Sequence, residues 1–109
     1  MNYDSLDKFY KDQLKLVKNG LGCKNVISNL IETFGGKAIV LSSVSKKELM
    51  FKDRSNLIHR EIEHYAWLDC NKNVYDPELD YFKVDLFKYL LEMDLRLDKI
   101  EINFISKIN

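Results

Sequence analysis

The spacing of apolar side chains changes several times along this chain, and each change predicts a new element. Leu6, Phe9, Tyr10, Leu14 and Val17 recur at three- and four-residue steps, which predicts a first helix over residues 4–18, stopped by Asn19-Gly20. Gly20-Leu21-Gly22 forms an elbow, and a second helix is expected from Cys23, with Val26, Ile27, Leu30, Ile31 and Phe34 as its apolar stripe and Gly35-Gly36 as its end. Lys37 to Val44 then turns to the β-favouring run Ala-Ile-Val-Leu and reads as a buried strand. The charged segment Ser45–Asn56 gives no periodic signal beyond a helical turn around Lys46–Phe51.

Alternation returns at residue 58. Ile58, Ile62, His64, Ala66 and Leu68 share one face of a strand, interrupted by Arg60, and Glu61, Glu63, Tyr65, Trp67 and Asp69 share the other. Cys70-Asn71-Lys72-Asn73 is turn chemistry, and Val74-Tyr75-Asp76 begins the returning strand of a hairpin, closed by Pro77. A third helix is expected from about Val84 to Met93 with Phe87, Leu90 and Leu91 inward, and a last strand from the alternation of Ile100, Ile102 and Phe104. Helices followed by hairpin-connected strands predict an α+β fold, with the helix that starts at Cys23 packed on a mainly antiparallel sheet.

Length and composition fit one domain spanning residues 1–109. With 109 residues, 46% of them hydrophobic, one proline and four glycines, the chain can form a core but holds no second domain. Seventeen basic residues balance seventeen acidic ones and are interspersed with them, so no positive field for nucleic acid or anionic membrane arises. No stretch approaches the ~18 apolar residues of a membrane span. Met1 to Ser5 lacks the start of a signal peptide, and two cysteines do not make a disulfide framework. A cytoplasmic protein is expected, without nucleic-acid or membrane partners.

Three residues suggest chemistry. Cys23 follows two glycines at the start of a helix, where unpaired backbone N–H groups and the helix dipole favour a thiolate. A small apolar cap residue is the competing account. His64 lies on an apolar strand face, where a core histidine satisfied by a hydrogen bond is the ordinary explanation. Asp76, twelve residues later across the hairpin, can stand beside its imidazole, although Asp-Pro is also a common turn opener. Together the three form a candidate Cys-His-Asp triad, with Cys23 as nucleophile, His64 as base and then acid, and Asp76 as orienting carboxylate. A zinc site built from Cys23, His59, His64 and Cys70 is disfavoured. Alternation sends His59 and His64 to opposite faces, and no Cys-x-x-Cys spacing exists. Neither metal nor other cofactor is expected.

Gly22-Cys23, the apolar helix after it, the strand Ala38–Leu41, His64-Tyr65-Ala66-Trp67-Leu68-Asp69 and Val74-Tyr75-Asp76-Pro77 resemble the transglutaminase-like cysteine enzymes over roughly residues 20–80. The His-aromatic-aliphatic start and the Asp-Pro end also resemble papain-related peptidases that process double-glycine leader peptides. In those peptidases a glutamine just before the cysteine helps hold the oxyanion. Gln13, the one glutamine here, lies on the first helix, where a solvated helical side chain is the plainer account. The resemblance implies acyl transfer or hydrolysis at a peptide or protein amide through a thioester, with a peptide or protein as substrate. Two positions depart from the transglutaminase-like pattern. Lys24 replaces the aromatic residue after the cysteine, and two residues rather than one separate His64 from Trp67. Strict register gives the histidine position to Tyr65. His64 is preferred because its spacing to Asp76 fits and because tyrosine cannot act as the base. The alternative function is a non-catalytic binding or inhibitory protein that retains the cysteine-enzyme fold.

Overall fold

The computed structural model describes residues 3–18, 23–45, 48–52, 55–92 and 100–108. Helices α1 (Tyr3–Lys18) and α2 (Cys23–Phe34) lead into strand β1 (Lys37–Ser43). There follow β2 (Leu49–Lys52), β3 (Ile58–Glu61), β4 (Glu63–Leu68), β5 (Asn73–Asp76), β6 (Tyr81–Asp85), α3 (Leu86–Glu92) and β7 (Ile100–Ile105). Five strands form one antiparallel sheet in the order β6-β5-β4-β1-β7, and β2 pairs with β3 in a separate two-stranded sheet. This is an α+β architecture. No helix among the described residues is long and apolar enough to cross a membrane.

The five-stranded sheet is covered on both sides, which explains the unbroken apolar runs Ala38–Leu41 of β1 and Tyr65–Leu68 of β4. Ala38, Val40, Trp67 and Tyr75 meet Leu6 and Tyr10 of α1 and Val26, Ile27 and Leu30 of α2. The opposite face carries Ile39, Leu41, Ala66 and Val74, which meet Leu79, Tyr81, Val84 and Tyr89. Trp67 and Tyr75 are therefore core residues beneath the helices rather than an outer aromatic surface. Their rings stand 5.0 Å apart, and Tyr10 lies 5.3 Å from Tyr75 at a steep angle. Such pairs add about 0.5–1.5 kcal/mol each beyond the area they bury.

Gly35 and Gly36 both have positive φ, 79° and 74°, and end α2. A side chain at Gly36 would collide with the Leu68 carbonyl oxygen, because the chain crosses β4 closely there. The same turn lets the Trp67 indole N–H donate to the Gly35 carbonyl at 3.0 Å. Asp69 organises the next turn. Its carboxylate accepts from the Asn71 and Asn73 amides at 2.8 and 2.9 Å, which closes the β4–β5 hairpin with Trp67 opposite Tyr75.

Four expectations need correction. The single strand expected from Ile58 to Leu68 is two strands in different sheets, separated by a bend at Ile62. Ile58 and Ile62 are exposed rather than inward. The helical turn around Lys46–Phe51 is replaced by strand β2 from Leu49; Lys46 and Lys47 lie outside the described residues. The third helix begins at Leu86, not Val84, because Val84 belongs to β6 and the Asp85 carboxylate caps the amides of Phe87 and Lys88. That start turns Tyr89 inward and leaves Phe87 and Leu91 exposed; Met93 lies outside the described residues. Finally, Gln13 is neither solvated nor aimed at a site, for it accepts a hydrogen bond from Asn29 at 3.0 Å and ties α1 to α2.

Candidate functional site

The bend at Ile62 and the turn after Asp76 bring four polar side chains to the same place. His64 stands opposite Leu41 in the β1–β4 register, on the sheet face away from α1 and α2, and its side chain is fully buried. Its Nε2–H donates to Asp76 Oδ2 at 2.6 Å, and its Nδ1–H to Glu61 Oε2 at 2.5 Å. Glu78 Oε2 is 3.5 Å from the same Nδ1. Glu61 reaches back because the bend breaks strict alternation, so residues three apart meet on one side. Glu78 is delivered by the Asp-Pro turn, in which Asp76 Oδ1 accepts the Leu79 amide at 3.0 Å. The Tyr89 hydroxyl of α3 donates to Asp76 Oδ2 at 2.7 Å. Asp76 is thus both a turn opener and the partner of His64.

Burial alone would pull the His64 imidazolium down. The hydrogen bond and charge of Asp76, with further hydrogen bonds to Glu61 and Glu78, more than offset this and push it up to about 12. Burial raises the Glu61 carboxyl, His64 lowers it, and the neighbouring Glu78 raises it further. The Tyr89 hydroxyl is held well above its ordinary value by burial and then by the charge of Asp76. The cluster therefore favours the protonated form of the His64 imidazole, held among acidic side chains.

The structure brings together two members of the candidate triad, His64 and Asp76, and puts them on the opposite sheet face from α2. Cys23 is the first residue of α2, and its side chain lies outside the described residues, as does that of His59. Tyr65 is what β4 turns toward the start of α2. The Lys24 ammonium sits 5.0 Å from the centre of its ring. A base must aim a nitrogen lone pair at the proton it removes. Both nitrogens of His64 instead point at carboxylates. Cys70 is exposed, with its Sγ 3.9 Å from the Phe34 carbonyl oxygen.

Three residues of the cluster escaped the sequence. Strict alternation places Glu61 on the wrong face, Glu78 sits in a turn without periodicity, and Tyr89 depends on the true start of α3. The hint for Glu78 was its place directly after Asp-Pro. In donor chemistry, Glu61, His64 and Glu78 offer two carboxylate oxygens and an imidazole nitrogen within 4.8 Å of one another. No known family, curated protein or solved structure matches the chain.

Proposed function

We propose that this chain is a non-catalytic binding protein built on a papain-like or transglutaminase-like core, in which the His64–Asp76 pair holds the fold together instead of activating a thiol. One observation carries this reading: both His64 nitrogens are engaged by carboxylates on the face away from α2. Tyr65 on the α2 side supports it as well, because strict superfamily register assigns the histidine position to that residue and a tyrosine cannot serve as the base there.

The second reading is cysteine-dependent acyl transfer or hydrolysis at a peptide or protein amide, with Cys23, His64 and Asp76 as its triad. The 2.6 Å His64–Asp76 contact is what favours it. Thiol reactivity separates the two. An activated thiolate reacts at mildly acidic pH, whereas an ordinary thiol with a value near 8.5 scarcely does. The binding reading predicts that Cys23 and Cys70 alkylate with iodoacetamide at pH 6 within a few-fold of each other, followed by peptide mass spectrometry. A Cys23 rate tens of times the Cys70 rate, lost in His64→Gln, would overturn it in favour of the triad.

A further inference from the structure

The carboxyl groups of Asp76, Glu61 and Glu78 converge on the His64 imidazole, at 2.6, 2.5 and 3.5 Å from its nitrogens. Asp76 is fully buried, while the Glu61 and Glu78 side chains keep 20% and 24% exposure, which opens the Nδ1 side of the cluster to solvent. An imidazole that ligates a metal through one nitrogen almost always donates its other N–H to a carboxylate, which fixes the tautomer and aims the ring. His64 has this arrangement: Nε2–H is committed to Asp76, itself anchored by Tyr89 and the Leu79 amide, and Nδ1 points at Glu61 and Glu78.

We propose that Glu61, His64 and Glu78 form a binding site for one divalent first-row cation of the zinc class, with Asp76 orienting the histidine from behind. Nitrogen and carboxylate ligands lie about 2.0–2.2 Å from zinc, so neighbouring donor atoms around one ion stand roughly 3 Å apart. The Nδ1 distances to Glu61 and Glu78, 2.5 and 3.5 Å, bracket that spacing, and all three donor atoms lie within 4.8 Å. Small rotations of the two glutamates accommodate the ion. It takes the place of the proton between Nδ1 and Glu61, and that proton leaves to solvent. One imidazole with two carboxylates suits zinc, manganese or iron(II) and lacks the thiolates that a soft-metal site requires. Three protein ligands leave a fourth tetrahedral position to water. This site differs from the cysteine-containing zinc site weighed from sequence, and it stands whether or not Cys23 is reactive.

The test is equilibrium dialysis of the full chain, stripped with chelator, against Zn2+. Cys23→Ser and Cys70→Ser are both introduced so that thiols do not contribute. One equivalent should bind and raise the melting temperature by mass action. Glu78→Gln, a partly exposed turn position, should weaken binding at least tenfold while the far-ultraviolet circular dichroism is unchanged. Asp76→Asn, which keeps a side-chain oxygen for the Leu79 amide but removes the charge behind His64, should weaken it 10- to 100-fold. Glu101→Gln, on the exposed side of β7, should leave it unchanged. Absence of stoichiometric binding by the parent protein, or binding that survives in Glu78→Gln, overturns the proposal.

Discussion

A histidine that keeps its proton far above its ordinary range makes folding stability fall as pH rises, and the size of that fall follows from the cluster around His64. The perturbation is a change from pH 7 to pH 9 in metal-free protein with chelator present. In the unfolded chain His64 releases its proton near 6.5; in the folded protein it holds it to about 12. Between those values the folded state binds more protons than the unfolded state, so stability is fully present below pH 6.5 and is lost as pH rises toward 12. Once the unfolded imidazole is deprotonated, the slope is about 1.4 kcal/mol per pH unit, which amounts to roughly 2–3 kcal/mol between pH 7 and pH 9. That is a large share of the 5–15 kcal/mol typical of a domain. Stopping at pH 9 keeps Tyr89 out of the measurement, since its hydroxyl titrates at still higher pH. Urea unfolding at pH 7, 8 and 9 gives the slope directly, with His64→Gln as the reference without an imidazole. A slope in the parent protein no steeper than that of His64→Gln would refute a permanently cationic histidine.

Asp76→Asn should shift the His64 titration downward in an NMR experiment, because the Asp76 hydrogen bond and charge are the main influences that raise it. An unchanged midpoint would mean that Glu61 and Glu78 suffice. Gly36→Ala should cost at least about 2 kcal/mol in urea unfolding, since a left-handed backbone is joined by a clash with a main-chain oxygen. Gly35→Ala, whose nearest neighbour would be the Cys70 sulfur at 3.8 Å, should cost only about 1 kcal/mol. Equal losses would show that the close crossing over β4 is not what requires glycine.

Helical spacing made the two N-terminal helices legible and alternation made β7 legible, while β1 was legible as an unbroken apolar run buried on both faces and the β4–β5 hairpin by its turn residues. Leu6 and Tyr10, and then Val26, Ile27 and Leu30, lie where helical spacing put them. The sequence misled wherever a backbone device reset the phase. The bend at Ile62 moved Glu61 to the side of His64, and the Asp85 cap delayed α3 by two residues, which replaced Phe87 with Tyr89 as its buried aromatic. Strand β2 lies among charged residues whose pattern carries no period, so nothing local announced it. In the candidate site, the meeting of His64 with Asp76 could be read from hairpin spacing. The side of the sheet on which they meet could not. His64 and Tyr65 each had reasons to face α2, and only the covering of both sheet faces decides between them.

Asp76 joins three stretches of chain that are separate in sequence. It accepts hydrogen bonds from the His64 ring of β4, from the Tyr89 hydroxyl of α3 and from the Leu79 amide of its own turn. No one of these segments can swing away without stranding a polar group in an apolar layer, so their local openings are coupled. α3, only seven residues long and too short to be stable alone, inherits its order from that coupling. The turn, the short helix and the end of β4 therefore behave as one cooperative unit, whose opening free energy is set by a single carboxylate rather than by the separate merits of each element.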